Sequence, residues 1–160
     1  MKGVKNMYEI SNAHWWLLVA SFVMTAIAAT GVYEALFVMP KWFAAVPKSL
    51  VLMRNRDSVK YWIPIQVISI IALIGASLTN WSDTTIHEPL LVGVTSYVLV
   101  WISTAVFFVP GVIKFQKIDI SSPEDPKLAA SGKSWLRLSW LRQIAMVVSA
   151  ISLIVALAAT

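Results

Sequence analysis

Four apolar stretches of about 20 residues or more constrain the fold of this chain more than any other feature. A helix of roughly that length crosses the hydrocarbon core of a bilayer. Only 13% of the residues are charged, whereas a soluble domain carries about a quarter. We therefore predict an all-α integral membrane protein, a four-transmembrane-helix bundle that forms a single domain over residues 1–160. The predicted spans cover residues 14–39, 61–80, 90–112 and 141–160.

Local signals indicate where these helices begin and end. Pro40 lacks an N–H, so the first helix should end or kink there. Pro64 fits the first turn of the second helix, and residues 47–53 have the pattern of a short helical turn on the membrane surface. Ser122, followed by a proline and two acids, predicts the start of a helix that Gly132 breaks. The first span lacks a small-residue cleavage pattern, so we expect it to be retained as an insertion signal.

The basic residues are concentrated in two connections. Eleven of the 13 lysines and arginines lie either between Lys41 and Lys60 or between Lys114 and Arg142. The positive-inside rule places both connections in the cytoplasm, and it places the N and C termini outside, together with the connection at 81–89. The net charge of +5 is thus a signal of orientation, and we predict no nucleic-acid partner. The expected location is a bacterial cytoplasmic (inner) membrane.

The two halves of the chain share a short pattern. Phe37-Val38-Met39-Pro40 ends the first span, and Phe107-Phe108-Val109-Pro110 ends the third. Each is followed by a basic connection and then by a tryptophan at the entry of the next helix. This pattern indicates a tandem two-helix repeat, and chance agreement between common helix-ending residues is the alternative.

Glu34 is the only acid embedded in an apolar span, and its span has no other charged residue. A carboxylate in hydrocarbon costs a few kcal/mol unless it is paired, protonated or close to the interface. Three interpretations stay open. In the first, Glu34 pairs with Arg142 or Arg56 and holds the helices of the bundle together. In the second, it binds a proton or a ligand. In the third, it reaches out to the interface as a surface acid.

A second group of polar residues clusters near the cytoplasmic ends of the spans. Arg54 and Arg56 lie in the first connection, and Gln66 and Gln143 lie one turn inside the second and fourth spans. Arginines there are typical of orientation signals and of contact with lipid headgroups. The alternative is a basic pocket for an anionic or phenolic ligand, which the glutamines would line.

The two histidines, His14 and His87, fall at the opposite end of the predicted bundle, near Asp83 and Glu88. Two histidines and a carboxylate are a possible metal site, and two histidines can ligate haem. Neither histidine belongs to a metal-binding motif. Two unrelated interfacial residues are therefore the competing interpretation.

Residue types and motifs that the chain lacks exclude several kinds of functional site. It has no cysteine, which excludes disulfides, thiol nucleophiles and cysteine-bound zinc or iron–sulfur clusters. No glycine-rich phosphate loop is present, and the cofactor is unknown.

Tryptophan placement is typical of an interfacial belt. Seven of the eight tryptophans fall at predicted interfaces, and the other, Trp101, could line an apolar cavity with Tyr97 and Phe108 or simply pack between helices. The predicted anchors are Trp15, Trp16 and Trp81 outside and Trp42, Trp62, Trp135 and Trp140 inside.

Several short motifs resemble those of the small four-helix membrane proteins grouped with the anthrone oxygenases. They are Gly31-x-Tyr33-Glu34 with Pro40-x-Trp42, Pro47-x-Ser49-Leu50, Tyr61-Trp62-x-Pro64 and Trp140-Leu141-Arg142. The resemblance implies a four-helix bundle with a pocket for an apolar, oxygen-bearing substrate. Characterised anthrone oxygenases oxidise aromatic polyketides without an obvious cofactor. This chain departs from such chemistry because no histidine within a span could act as a base, so the activity is not carried over.

Three hypotheses for function follow. The first is a protein that binds or oxidises a hydrophobic small molecule near the cytoplasmic interface. Its catalytic residues would be Glu34, Arg56 and Arg142, and Tyr33, Arg54, Gln66 and Gln143 would bind the ligand. The second is a non-catalytic subunit or assembly factor of a larger membrane complex, or a homo-oligomer. The third is a metal or haem protein that uses His14 and His87. In each case membrane lipids are partners.

Overall fold

The computed structural model describes residues 12–54 and 58–160, and the regular structure within these ranges is entirely helical. Four helices are long and apolar enough to cross a membrane, which is typical of a multi-pass membrane protein. They are the first span, Asn12–Trp42, the second span, Lys60–Asn80, the third span, His87–Gln116, and the fourth span, Pro126–Ala158. The four predicted spans are present. The second agrees with its predicted bounds to within one residue, and the other three run past their predicted boundaries at one end or both.

The first span does not end at Pro40. An α-helix over Asn12–Tyr33 changes to a π-helical turn over Glu34–Val38 and returns to α-helix over Met39–Trp42. The N–H of Met39 donates to the carbonyl of Glu34, five residues back. A π turn adds one residue to the helix and is a known cause of local bending. It accommodates the proline, which cannot donate a hydrogen bond, without breaking the helix.

The third span has the same construction. An α-helix over His87–Ser103 is followed by a π turn over Thr104–Phe108 and an α-helix over Val109–Gln116, with Pro110 just after the π turn. The π turn and the proline thus stand in the same order, with the same spacing, in the first and third spans.

The fourth span begins well before the predicted start at residue 141. Asp125 caps the helix by accepting a hydrogen bond from the N–H of Lys127 at 2.8 Å, and Pro126 occupies the first turn. Ser122, the predicted cap, instead donates to the carbonyl of Asp119 at 2.7 Å. Gly132 does not break the helix, because Phe43 packs where a Cβ would stand. Residues 126–140 are polar enough to be predicted as a connection between helices. Their packing against the rest of the bundle stabilises the helical conformation instead.

The second helix runs from Ser58 to Asn80, so Pro64 lies inside it and not in its first turn. The first connection holds a 3₁₀ turn over Lys48–Leu50 and an α-helical turn over Val51–Arg54. The predicted short helical turn is thus present. It is not a loose surface element, because Leu50 is 0% exposed.

The spans form an up-and-down bundle. The line of contact between two neighbouring spans is called a seam here, and the seams differ in extent. The first span packs along the second and the fourth, and the third packs along the fourth. The second and third spans touch at few points, chiefly through the Tyr97 hydroxyl, which donates to Gln66 Oε1 and shares a hydrogen bond with the Ser69 hydroxyl. At one end of the bundle the His14 ring lies 2.9 Å from the Thr160 hydroxyl, so the start of the first span and the end of the fourth lie together.

Two cores lie one above the other in this bundle. The larger joins all four spans, and at its centre are Leu17, Met24, Ile27, Leu90 and Leu153, each with no exposed surface. The second core lies at the end of the bundle that carries the two basic connections, which we call the basic end. It includes residues of the first connection. Its buried members are Ala35, Met39, Trp42, Val46, Leu50, Met53, Phe108, Phe115 and Trp135.

Removing the side chain of Leu50 should destabilise the protein because it opens a cavity in the second core. We expect Leu50→Ala to lower the free energy of unfolding by about 2–5 kcal/mol. The matched control is Leu52→Ala in the α-helical turn that follows, where the side chain is 50% exposed and the expected loss is small. Unfolding of the detergent-solubilised protein, followed by circular dichroism, measures both. Equal losses would show that the first connection does not pack as described.

Candidate functional site

Glu34 is a buried acid, with 5% of its surface exposed. It opens the π turn of the first span, and its Oε1 accepts a hydrogen bond from the indole N–H of Trp62 at 3.2 Å. This burial excludes the interpretation of Glu34 as a surface acid. A hydrogen bond between side chains contributes about 0.5–1.5 kcal/mol net, so the contact ties the first span to the second.

Arg142 of the fourth span approaches Glu34 from the other side. The two side chains are close enough to interact electrostatically. The guanidinium also lies over the ring of Phe108, with Cζ 4.2 Å from the ring centroid. A cation held over an aromatic face gains about 0.5–2 kcal/mol. Arg142 therefore links the acid of the first span to the π turn of the third.

Three buried polar atoms on the fourth span have no hydrogen-bond partner within residues 12–54 and 58–160. They are Trp135 Nε1, Arg142 Nε and Gln143 Oε1. Trp135 and Gln143 are only 4% and 2% exposed. Leaving such a group unpaired costs roughly 1–3 kcal/mol, so three of them on one helix need a physical explanation.

Gln143 is held against the first span by Gly31. A Cβ on Gly31 would overlap Oε1 of Gln143, so only glycine leaves room for the amide here. The close approach brings Gln143 within the same layer of the bundle as Glu34, which lies one turn further along the first span. Gly31 thus sets the position of a polar side chain as well as the spacing of two helices.

An aromatic cluster surrounds Trp135. Its ring centroid lies 5.5 Å from that of Phe108, 5.8 Å from Phe43, 6.2 Å from Trp42 and 6.4 Å from Phe115. Most of these pairs are tilted or edge-on, which is the favoured geometry for aromatic rings. The indole N–H nevertheless lies against Gly111, where a Cβ would come within 2.9 Å of it. The cluster makes the basic end of the site rigid and apolar.

A groove opens beside Arg142, between the third and fourth spans. It has a volume of about 410 Å³ and an apolar lining that Arg142 and Ser103 interrupt. The volume is within the range of small-molecule sites. The other lining residues are Leu99, Val100, Phe107, Phe108, Leu138, Leu141 and Ala145.

Several of the predicted site residues lie elsewhere. Tyr33 is 57% exposed and stacks on Phe37 with a centroid distance of 5.4 Å, so it faces away from Glu34. Gln66 accepts the hydrogen bond of Tyr97 between the second and third spans. Arg56 lies outside the described residues.

Arg54 connects the two basic connections. It donates to the carbonyl of Ile118 and attracts Asp119. Hydrogen bonds from the backbone and the hydroxyl of Ser121, together with the charge of Arg54, lower the pKa of the Asp119 carboxyl. These contacts are at the surface of the basic end, and they do not reach the groove.

The histidines make contacts other than metal ligation. His14 bonds to Thr160, and the His87 ring packs edge-on against Trp81 at 5.0 Å. Within the described part of the chain, no group of three or more His, Cys, Asp or Glu side chains is arranged to hold a metal ion. The geometry therefore gives no support to a metal centre at this end.

Three tryptophans of the site, Trp42, Trp62 and Trp135, are predicted from the sequence to be interfacial anchors, and the structure gives them other roles. Trp62 and Trp135 were predicted to be interfacial anchors, but Trp135 is buried and Trp62 bonds to Glu34. Trp42 is also buried, at 7% exposed. A tryptophan near the end of a span can belong either to the belt or to the core. Only the longer fourth helix, which the sequence does not indicate, brings Trp135 inside.

Comparison with known proteins adds no assignment, because no family model, curated protein or solved structure matches this chain significantly.

A double-mutant cycle should detect the coupling between Glu34 and Arg142. We expect Glu34→Gln and Arg142→Met each to destabilise the protein, and the double variant to lose about 1–3 kcal/mol less than the sum. Unfolding in mixed detergent micelles gives the three free energies.

The control cycle combines Glu34→Gln with Arg137→Met, which removes an exposed arginine of the same helix. The two changes in that cycle should be additive. A coupling between Glu34 and Arg142 no larger than in the control cycle would mean that the two charges do not stabilise each other.

Proposed function

We propose that this protein binds a hydrophobic small molecule that carries a polar oxygen, in the groove beside Arg142. The observation that supports this most directly is the set of three buried polar atoms on the fourth span that lack a partner among the described residues. One of the three belongs to Arg142, which lines the groove. A molecule bound in the groove would supply the missing hydrogen bond of Arg142.

The chemistry of Arg142 indicates the kind of molecule. Arg142 Nε is a donor, so it suits a carbonyl, phenolate or carboxylate oxygen. The groove beside it is lined by aliphatic and aromatic side chains. An aromatic ketone or phenol has this combination of an apolar body and one polar edge.

The groove is open towards the side of the bundle, which supports entry from the bilayer. Phe107, Leu138 and Leu141 line it and are 43%, 37% and 62% exposed. In a membrane such residues face lipid tails. A ligand dissolved in the bilayer could therefore enter without crossing the basic end of the protein.

Oxidation of the bound molecule, with molecular oxygen as the oxidant, is the extension that the resemblance to the anthrone oxygenase group suggests. Glu34 is the buried carboxylate nearest to Arg142 among the described residues, and it is the group that would accept a proton from an acidic C–H or O–H. The binding proposal does not depend on this step.

The proposal also covers the orientation of the bundle in the membrane and the duplication of a two-helix unit. The basic end would face the cytoplasm of a bacterial inner membrane, with both termini on the other side. The matching π turns and prolines of the first and third spans support a tandem two-helix repeat.

Anthrone is a suitable probe because it combines three fused rings with one carbonyl. We expect it to quench the tryptophan fluorescence of the purified protein and to bind at least about tenfold more tightly than anthracene, which lacks the oxygen. Arg142→Gln should abolish this preference.

The matched control is Gln66→Leu, which alters the separate polar bridge at Tyr97. This variant should keep the preference for anthrone. If wild-type protein binds anthrone and anthracene equally well, the polar atoms do not select the ligand and the proposal fails.

The lack of native cysteine allows a direct test of orientation. A membrane-impermeant maleimide added to intact cells should label Ser82→Cys and leave Ser131→Cys unlabelled until the cells are broken. Both serines are exposed, one at each end of the bundle. The reverse pattern would place the basic end outside.

A further inference from the structure

The second and third spans leave an open groove between them, because they touch at few points whereas the other neighbouring spans pack along their length. The groove has a volume of about 370 Å³, and we call it the second groove. Its lining runs from Ile70 to Leu78 on the second span and from Val94 to Ile102 on the third. It shares no lining residue with the groove beside Arg142. The two grooves are therefore separate sites.

The second groove lies at the depth of the membrane hydrocarbon. The second span, Lys60–Asn80, has 21 residues and a length of ~30 Å, which is the thickness of the hydrocarbon core. Along the helix axis, Leu78 is ~3 Å and Ile70 is ~15 Å from Asn80. The groove thus occupies about one leaflet, on the side of the bilayer away from the basic end.

Both ends of the second groove are closed. At the end away from the basic end, the connection at 81–86 joins the two spans. At the other end the Tyr97 hydroxyl donates to Gln66 Oε1 and shares a hydrogen bond with the Ser69 hydroxyl. A molecule therefore cannot slide into the groove along the helices from the aqueous phase.

The side of the second groove is open. Ile74, Leu78 and Val98 at its rim are 54%, 78% and 48% exposed, whereas Leu73 and Tyr97 at its floor are 5% and 3% exposed. In a membrane the rim faces lipid tails. An occupant therefore enters sideways from the hydrocarbon.

The second groove offers little to a polar ligand. Almost all of its surface is apolar. The Tyr97 hydroxyl at its floor already bonds to Gln66 and Ser69. Ser77 adds one hydroxyl, a group that a helix can satisfy with its own backbone. Because a buried polar group costs free energy without a partner, plain hydrocarbon is the chemistry that this groove fits.

The dimensions of the second groove select a narrow occupant. A volume of about 370 Å³ over a length of ~12 Å gives a cross-section of about 30 Å². A helix with its side chains is about 10 Å across, which is a cross-section of roughly 80 Å². An alkyl chain is about 4–5 Å across, since apolar atoms pack at contact distances of about 4 Å. A single chain fits, and an inserted helix does not.

We propose that one acyl chain of a bilayer lipid occupies the second groove and packs between the second and third spans. The chain lies along the helix axes, as its neighbours in the same leaflet do. It supplies the side-chain contacts that the lining of an empty groove would lack. The lipid belongs to the leaflet away from the basic end. This proposal is independent of the ligand that occupies the groove at Arg142.

The test uses the full-length protein in vesicles of phosphatidylcholine that carries a photoreactive diazirine on its acyl chain. Mass spectrometry identifies the residues that the lipid labels on illumination. Ile74 and Val98 report on the second groove. The controls are Ile71 and Val92, which lie on the same two spans outside the groove and have matching exposures of 53% and 48%. We expect the groove residues to be labelled at least about fivefold more than the controls.

A variant that fills the groove should remove this excess. We expect Ile74→Trp to lower the labelling of Val98 by at least about fivefold, because the indole occupies the space of the chain. The matched Ile71→Trp variant places the same side chain outside the groove and should leave the labelling of Val98 unchanged. Equal labelling of groove and control residues in the wild type would overturn the proposal, as would an equal decrease in the two variants.

Three further measurements keep the test decisive. If Ile74→Trp does not fold, Val98→Trp and its control Val92→Trp are compared through the labelling of Ile74, with the same expectation. Dilution of the protein with excess lipid should not change the labelling. An increase at Ile74 and Val98 would identify a second copy of the chain as the occupant and overturn the proposal. Saturating anthrone should also leave the labelling unchanged, and its loss would show that the groove takes a ring compound instead of an acyl chain.

Discussion

A helix in a bilayer has to satisfy its backbone hydrogen bonds internally, and a proline removes one donor from that set. The first and third spans solve this problem identically, with a π turn placed just before Pro40 and Pro110. The extra residue of a π turn rotates everything that follows it around the helix axis. As a result Met39 and Trp42 face inward, and the basic end has a core of its own. Glu34 stands at the first residue of one π turn, so the site depends on the same adjustment.

The polar residues of the site are held by contacts that differ in kind. Trp62 fixes Glu34 with a directed hydrogen bond, Phe108 holds Arg142 through its ring, and Gly31 leaves space for Gln143. Each of the four spans contributes to this arrangement. The positions of Glu34, Arg142 and Gln143 therefore depend on the packing of all four spans. A change in any one span would alter the positions of these side chains.

The number of spans follows from the sequence, because apolar length is a local signal. The sequence also singles out Glu34 as an isolated acid, but it leaves open whether the side chain is buried or reaches the interface. The start of the fourth span does not follow from the sequence, since residues 126–140 contain a glycine and several charges. That stretch is helical because Trp135 and Gly132 pack against Phe43, a contact between distant parts of the chain. The same limit explains why Trp135 looked like an interfacial anchor. Sequence patterns indicate which residues are apolar, but they do not indicate which apolar residues meet.

The unequal seams have a mechanical consequence. Three of the contacts between neighbouring spans are extended, whereas the second and third spans are joined mainly through Tyr97. Hydrogen bonds between helices in a membrane contribute about 0.6–2 kcal/mol each, so little work separates these two spans. The bundle is stiff along three seams and compliant along the fourth. Thermal motion of the molecule should therefore be a spreading of the second and third spans, with the cluster around Glu34 and Arg142 on the rigid side.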